Sequence, residues 1–489
     1  MDLFNLVQSD RLMIMDDPFY GRERELGILH ELLDSKVARF VVLRGRRRIG
    51  KSRLAEKFGE SFDKHYTFIG LPPEMGVTDE IQRRHFANEL EKQTGQLALR
   101  FDDWDFLFDS LGRITQKGRV LIVLDEINWM GSLAPAFLGK LKTAWDACFK
   151  KNPHLVLLVS SSVSAWIEKH ILRSTGFFGR IALDIVLHEL PLYQCSHFWR
   201  PHEKNVAPSE KFKVLCVTGG VPLYLESINP KLSAEENIRR LCFRKEGLLY
   251  LEFERIFSDV FKSRAPLYKK IVQRLAQGPA DQAAILQAIG ADKGGIYSEY
   301  LDELEKTGYL SRDYTWSLGS GKFSKLSLYR LSDNYLRFYL RYIEPNQPSI
   351  QQNRDQLPAG WTSIMGLQFE NLVLNNRQGI QRLLSINPSD IKIDNPYFQR
   401  GTKKKAGVQV DYMIQTRFNT LYICEIKFHR EPIGMEIIKE MRQKIEALSL
   451  PRGYSLRPVL IHVNGVKEEV IEQEFFSNII DFSQLLESK

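Results

Sequence analysis

Two groups of residues in this sequence have the types and spacing to do chemistry on phosphate. The first is the loop Gly45, Arg46, Arg47, Arg48, Ile49, Gly50, Lys51 and Ser52. It follows the apolar run Phe40 to Leu43 and leads into a helical pattern that starts at Arg53. Glycines in such a loop let backbone N–H groups wrap phosphates, and the following helix N-terminus adds partial positive charge. Lys51 is then placed to meet the β- and γ-phosphates and Ser52 to ligate magnesium. About 70 residues later the apolar run Val120 to Leu124 ends in Asp125 and Glu126. Asp125 suits a magnesium held through water, and Glu126 suits orienting and deprotonating the attacking water. ATP and Mg2+ are the expected ligands.

The second group lies near the end of the chain. Asp411 closes the run from Gly407, and Glu425 and Lys427 close the run from Leu421, with Arg417, Phe418 and Asn419 as a polar turn between them. In a strand, residues two apart share a face, so Glu425 and Lys427 project together while Ile426 faces the core. The turn makes a hairpin that brings Asp411 and Glu425 to one metal position. Two carboxylates and a carbonyl suit Mg2+, with Mn2+ the alternative, and a neighbouring lysine can steer water or stabilise charge on a scissile phosphate. Glu425 is flanked by Ile423, Cys424, Ile426 and Phe428, and an acid in so apolar a strand needs a partner or a metal.

The elements that must position these groups are readable as patterns. Short β-rich runs (Arg39 to Leu43, Val120 to Leu124, Leu155 to Val159) alternate with amphipathic stretches (Glu23 to Leu33, Phe137 to Phe149), the rhythm of an α/β domain with a largely parallel sheet. A helical lid is expected after Leu190, with a turn at Gly219-Gly220-Val221-Pro222. From Leu267 three helices and two strands joined by Gly319-Ser320-Gly321 make a winged-helix order. Its third helix carries Glu299, Asp302, Glu303 and Glu305 against Lys306, a poor match to nucleic-acid phosphates, which favours an intramolecular or protein contact. The polar, Gln-rich stretch 346–360 reads as a linker before a final α/β unit. The expected division is 1–190 ATPase core, 191–262 lid, 263–345 winged helix, and 346–489 linker and C-terminal domain.

Composition narrows the class. The 489 residues are 43% hydrophobic and 26% charged, which excludes a wholly disordered or collagen-like chain. No apolar run approaches the roughly 20 residues of a membrane helix, so no membrane partner is expected. The first 17 residues lack the positive start and apolar stretch of an export signal. The five cysteines fit neither a CxxC zinc site nor a disulfide framework. A cytoplasmic protein with reduced thiols is the expectation. The net charge of +8 is compatible with a polyanionic partner but mild for this length.

The loop and the Asp125-Glu126 pair resemble the Walker A and Walker B motifs of the AAA-related and STAND branches of P-loop ATPases. The segment Phe19 to Leu26, with Tyr20, Gly21 and Arg22, looks like the FxGRexEL segment that packs by the adenine in those groups. Gly220-Val221-Pro222 resembles their lid GxP, whose Pro222 equivalent lies near the base. The resemblance implies a γ-phosphate sensor at Ser161 and Ser162, although Ser160 stands where relatives usually have glycine. It also implies that Arg180 reads the γ-phosphate or the lid.

The C-terminal pattern resembles the PD-(D/E)xK nuclease superfamily. That likeness implies Asp411, Glu425 and Lys427 as the core triad, Glu370 as a metal-binding acid on the first helix, and Gln443 and Lys444 as supporting polar residues. The whole chain resembles MNS-like STAND ATPases that carry a DUF234-type nuclease-like domain. The implied function is an ATP-driven switch coupled to a metal-dependent nuclease acting on DNA or RNA, in defence or repair. The alternative is a signalling scaffold whose nuclease-like domain binds without cutting. Nucleic acid is the implied partner, and a homo-oligomer is left open.

Overall fold

The computed structural model describes residues 19–72, 76–95, 102–261, 265–290, 295–401 and 407–487. The stretch read for an export signal lies outside them. Five parallel strands form the first sheet: β1 (Arg39–Arg44), β2 (Lys64–Ile69), β3 (Val120–Asp125), β4 (Leu155–Ser161) and β5 (Ile181–Val186), in the order β2-β3-β4-β1-β5. Every residue of β3 and β4 is buried, because helices cover both faces of a parallel sheet. Phe40, Val42, Ile122 and Leu157 point to one face with Phe137 and Trp145 of helix α2 (Phe137–Ala147). Val41, Leu43, Leu121 and Leu158 point to the other, against Leu54 and Phe58 of helix α1 (Lys51–Gly59). β1 sits between β4 and β5, so the loop at its carboxyl end opens into the crevice where α/β sheets bind ligands.

Helix α3 (Pro208–Thr218) starts with proline at its first turn and ends at Gly219. The turn that follows lies against the exit of β5: Leu190 N–H donates to Gly220 O at 2.8 Å. A β-carbon on Gly220 would stand 2.3 Å from Leu190 O, so only glycine fits there. Helices α4 (Leu248–Phe261), α5 (Ala265–Ala276), α6 (Gln282–Ile289) and α7 (Gly295–Lys306) follow, then an antiparallel hairpin of β6 (Leu310–Trp316) and β7 (Phe323–Leu331). The short helix α8 (Asn334–Phe338) is capped by Asp333.

The second sheet has the order β12-β11-β10-β9-β8, from β8 (Ile391–Gln399), β9 (Val408–Thr416), β10 (Thr420–Ile426), β11 (Ser455–His462) and β12 (Asn478–Asp481). Strands β8 to β10 pair antiparallel, and β10 to β12 pair parallel. Helix α9 (Trp361–Asn375) precedes this sheet, and α10 (Glu436–Ala447) covers one face through Ile437, Ile438 and Met441.

The stretch read as a linker is packed at its start and mostly exposed from 351 to 360. Gln347–Gln351 is helical and its Ile350 is buried. Phe369 of α9 lies 6.0 Å from Phe212 of α3, 5.2 Å from Phe428 and 5.0 Å from Phe482, ring to ring. One apolar core therefore runs without a break from helix α3 into the C-terminal sheet. The hairpin is docked as well: Trp316 Nε1 donates to Gln415 Oε1 at 2.6 Å and Thr315 Oγ1 to Phe398 O at 2.7 Å.

Candidate functional sites

At the first site, Gly50 holds the left-handed conformation (φ 87°) and brings no capping side chain, which leaves the first-turn N–H groups of α1 turned to the loop. Lys51 is buried, and its Nζ donates to Gly45 O at 3.1 Å and Arg46 O at 3.3 Å. Burial pulls its ammonium below the ordinary lysine value, against the opposing charges of Glu126 and Asp125. Ser52 Oγ donates to Asp125 Oδ2 at 2.6 Å, and Ser160 Oγ and the Glu126 N–H donate to Asp125 Oδ1. The hydroxyl and carboxylate oxygens expected around magnesium are thus side by side.

Glu126 stands 3.9 Å from Lys51 Nζ, and its Oε2 accepts the Ser162 N–H at 3.0 Å and Ser162 Oγ–H at 2.8 Å. Ser161 instead donates to Asn128 at 2.7 Å. Of the two serines expected to face the γ-phosphate, one therefore holds the acid and the other holds Asn128, which the sequence reading missed.

Several residues assigned to nucleotide contact face elsewhere. Arg46 Nη2 donates to Glu189 at 2.8 Å, and Nη1 pairs with Asp333. Arg48 forks onto the fully buried Glu252, at 2.9 and 3.4 Å. Arg47 stacks over Trp129 at 5.9 Å, and Arg53 lies near Glu56. Arg47 also stays within electrostatic reach of Glu126 and Lys51. Arg22 is a brace: its Nη2 donates to Ile49 O at 2.9 Å and His188 O at 2.6 Å. Gly21 (φ 79°) precedes it, and Tyr20 sits edge-on to Phe198 at 5.1 Å. Pro222 lies against Gly50. Arg180 binds Asp146 of α2, at 2.8 Å through Nη2, rather than the loop.

At the second site, the β9–β10 hairpin sets Asp411 beside Glu425, and the Ile426 N–H donates to Asp411 Oδ2 at 2.9 Å. Glu425 is buried, and Lys444 of α10 pairs with it and stands 3.7 Å from Asp411. Lys427 is 3.1 Å from Glu425 and 2.9 Å from Glu440. Burial, with the Glu425 charge added, pushes the Asp411 carboxyl up to about 7. Burial works to lower Lys444, but Asp411 and Glu425 outweigh it and leave the ammonium above its ordinary value. For Lys427 the same burial is outweighed by Glu440 and Glu425. Glu370 does not complete a metal-ligand group: among the described residues no three His, Cys, Asp or Glu side chains come together to hold a metal. Glu370 acts on Asp411 through its charge.

The parallel sheet, the phosphate loop after β1 and the acid at the tip of β3 define an α/β P-loop NTPase core. Residues 19–228 match the family described as an ATPase domain predominantly from Archaea, so this part of the chain is an ATPase domain of archaeal type. An uncharacterized protein of Methanocaldococcus jannaschii is 25% identical over 357 residues, 72% of this chain and 76% of that protein. Among solved structures, the Walker-type ATPase of Pyrococcus abyssi is similar with a TM-score of 0.51 and 18% identity, over 66% of this chain and 96% of that one, a likeness of fold. The ORC2 protein of Aeropyrum pernix, solved in ADPNP–ADP complexes, gives a TM-score of 0.42 and 14% identity over 71% of this chain and 99% of that one. No helix of the described residues is long and apolar enough to cross a membrane.

Proposed function

We propose that this chain is an ATP-hydrolysing switch whose archaeal-type ATPase domain is coupled to a C-terminal PD-(D/E)xK nuclease-like unit acting on DNA or RNA. The observation that carries the ATPase half is the Ser52–Asp125 hydrogen bond beside the Gly45–Lys51 loop, with Glu126 held by Ser162. Oxygen donors of this kind fit Mg2+. Ser52 and Asp125 would hold it, and it would neutralise charge on the β- and γ-phosphates. The loop amides and Lys51 bind and orient the triphosphate. Glu126 accepts the proton of the attacking water, and Ser162 fixes the carboxylate in the orientation that does so.

In this reading the helices α5 to α7 with the β6–β7 hairpin are a winged helix used as an intramolecular arm. Residues 1–190, 191–262, 263–345 and 346–489 are its core, lid, arm and nuclease-like unit. Tyr20, Gly21, Arg22 and Pro222 frame the base, and the protein is cytoplasmic.

The nuclease half rests on Asp411 and Glu425 meeting across the hairpin with Lys427 beside them. The two carboxylates suit Mg2+ or Mn2+ chemically, but Lys444 stands on both of them, so a cation must displace it. That same lysine favours the second reading, a unit that binds nucleic acid without cutting. The test is cleavage of single- and double-stranded DNA and RNA by the purified protein with Mg2+ or Mn2+, beside its ATP turnover. Metal-dependent cleavage lost in Asp411→Ala supports the nuclease. Nucleic-acid binding without cleavage supports the second reading.

A further inference from the structure

Three arginines in a phosphate loop are more positive charge than a triphosphate needs, and two of them are spent on acids from other parts of the chain. Arg46 bridges Glu189 at the exit of β5 to Asp333 at the start of α8. Glu189 in turn accepts the Gly220 N–H of the lid turn at 2.9 Å. Asp333 is 1% exposed, and its other oxygen accepts the Leu336 N–H at 2.6 Å. Arg48 has a positive φ of 68°, a conformation a non-glycine residue holds only when its surroundings enforce it. What enforces it is the two-point fork onto Glu252, which is 0% exposed and is also reached by Tyr224 Oη at 3.5 Å.

The residue after Asp333 continues the connection. Asn334 Nδ2 donates to Cys216 O of α3 at 2.8 Å, and Asn371 Nδ2 of α9 donates to Asn334 Oδ1 at 2.6 Å. Gln368 of α9 donates to Asn334 O at 2.8 Å. Asn371 is the neighbour of Glu370, whose charge acts on Asp411. A buried polar chain therefore leads from the phosphate loop to the helix beside the second site. Such networks hold a discrete geometry because each unpaired member is costly.

We propose that Asp333 and Glu252 are positioning residues for ATP: acting through Arg46 and Arg48, they hold the phosphate loop in its phosphate-ready shape and tie its occupation to the seating of α8 and α9. The inference rests on ATP binding at this loop. By linkage, if the seated α8 favours the ready loop, ATP in the loop tightens the seat by the same factor.

The test uses the full chain with ATP and a non-hydrolysable ATP analogue. Asp333→Asn keeps an acceptor for the helix cap and removes the charge, and Glu252→Gln is isosteric. Each should raise Kd and KM for ATP by about tenfold while kcat stays near wild type, since the groups at the reacting atoms are untouched. Combining Arg46→Gln with Asp333→Asn should add little to either change alone. In wild type the analogue should slow hydrogen exchange in 334–338 and 361–375, and in Asp333→Asn it should not.

If Asp333→Asn does not fold, Glu252→Gln carries the affinity test alone. Wild-type affinity in the folded variants, additive effects in the double variant, or exchange that ignores the analogue would each overturn the inference and leave the proposed function standing. A wild-type protein that binds no ATP would overturn both.

Discussion

The two candidate sites are built from the same materials, carboxylates at the ends of buried strands with a lysine beside them, and they are neutralised in opposite ways. At the first site Asp125 is met by the hydroxyls of Ser52 and Ser160 and by one backbone N–H. Lys51 spends its donors on loop carbonyls. Hydroxyls turn and carbonyls release a donor at small cost, so both charges remain available to a ligand. At the second site Lys444 meets both Asp411 and Glu425, and Lys427 meets Glu425. Two ammonium groups, one of them shared with Glu440, already stand on these carboxylates, so a cation meets occupied oxygens. The first site is arranged around something that arrives, while the second is already satisfied by its own residues.

The largest effect that would break this comparison is in ATP turnover. Glu126→Gln keeps the loop, Lys51 and the Ser162 contact but cannot accept a proton, so turnover should fall by about 10²- to 10⁴-fold with nucleotide binding retained. Lys51→Ala should instead weaken binding itself, because a charge partner of the phosphates is gone. Steady-state turnover and ATP titrations of both variants separate the roles, and equal turnover in Glu126→Gln and wild type would remove Glu126 from the reaction.

Next in size is Lys444→Met. It leaves the buried Glu425 with Lys427 alone and Asp411 without its ammonium, a loss of about 3 kcal/mol by the cost of breaking a buried pair. Denaturant unfolding with and without Mg2+ sharpens the comparison. If the second site takes a metal, Mg2+ should return most of the lost stability and bind the variant more tightly than wild type. If Mg2+ changes nothing, the pair of lysines is the permanent partner and the metal-dependent reading of this site fails.

What was readable in the sequence follows from how local each feature is. The phosphate site is strand, loop and helix in one continuous stretch, and its acid closes an unbroken apolar run. Periodicity and two glycines therefore place it. The Asp411–Glu425 hairpin is local too, closed by a turn at Asn419, which takes the left-handed conformation (φ 56°). The partners of Arg46 and Arg48 are not local. Glu252 lies 204 residues from Arg48, and nothing in the type or neighbours of an acid announces which distant arginine it meets. In the stretch 346–360 the glutamines, prolines and asparagines hide a single buried Ile350 that anchors its first turn, while most of 351–360 is exposed. Lys444 could be placed on a helix, but the contact that decides the second site depends on how that helix lies across the sheet.

A smaller effect tests whether the hairpin is an intramolecular arm. Trp316 is buried against Tyr397 at 5.1 Å between ring centres, and its indole N–H reaches Gln415. Trp316→Phe keeps a ring and loses the donor, leaving a buried amide oxygen short of a partner, at a cost of about 1–2 kcal/mol. Thermal unfolding should show it, together with faster hydrogen exchange in both β6 and β8. Exchange that changes in β6 alone would mean the hairpin does not depend on the second sheet.

The smallest effect concerns Arg180, which the family resemblance offered to the γ-phosphate and the structure gives to Asp146. Hydrogen bonds from Arg180, ahead of those from Lys150, hold the Asp146 carboxyl at about 2, below its ordinary 3.8. A depressed acid stabilises the fold fully above its unfolded value and loses that contribution as pH falls from about 3.8 through about 2. Both side chains are more than a quarter exposed, so solvent and salt screen the pair and its contribution is below that of Trp316. Arg180→Ala should therefore lower the melting temperature slightly at pH 7, with the difference from wild type shrinking at acid pH and at high salt. ATP turnover is the second readout. With the guanidinium engaged on α2, dilute Arg180→Ala should turn over ATP at the wild-type rate. A loss of turnover that appears only as protein concentration rises would show the arginine serving the site of a neighbouring copy, and a loss at every concentration would mean that Asp146 releases it once ATP is bound.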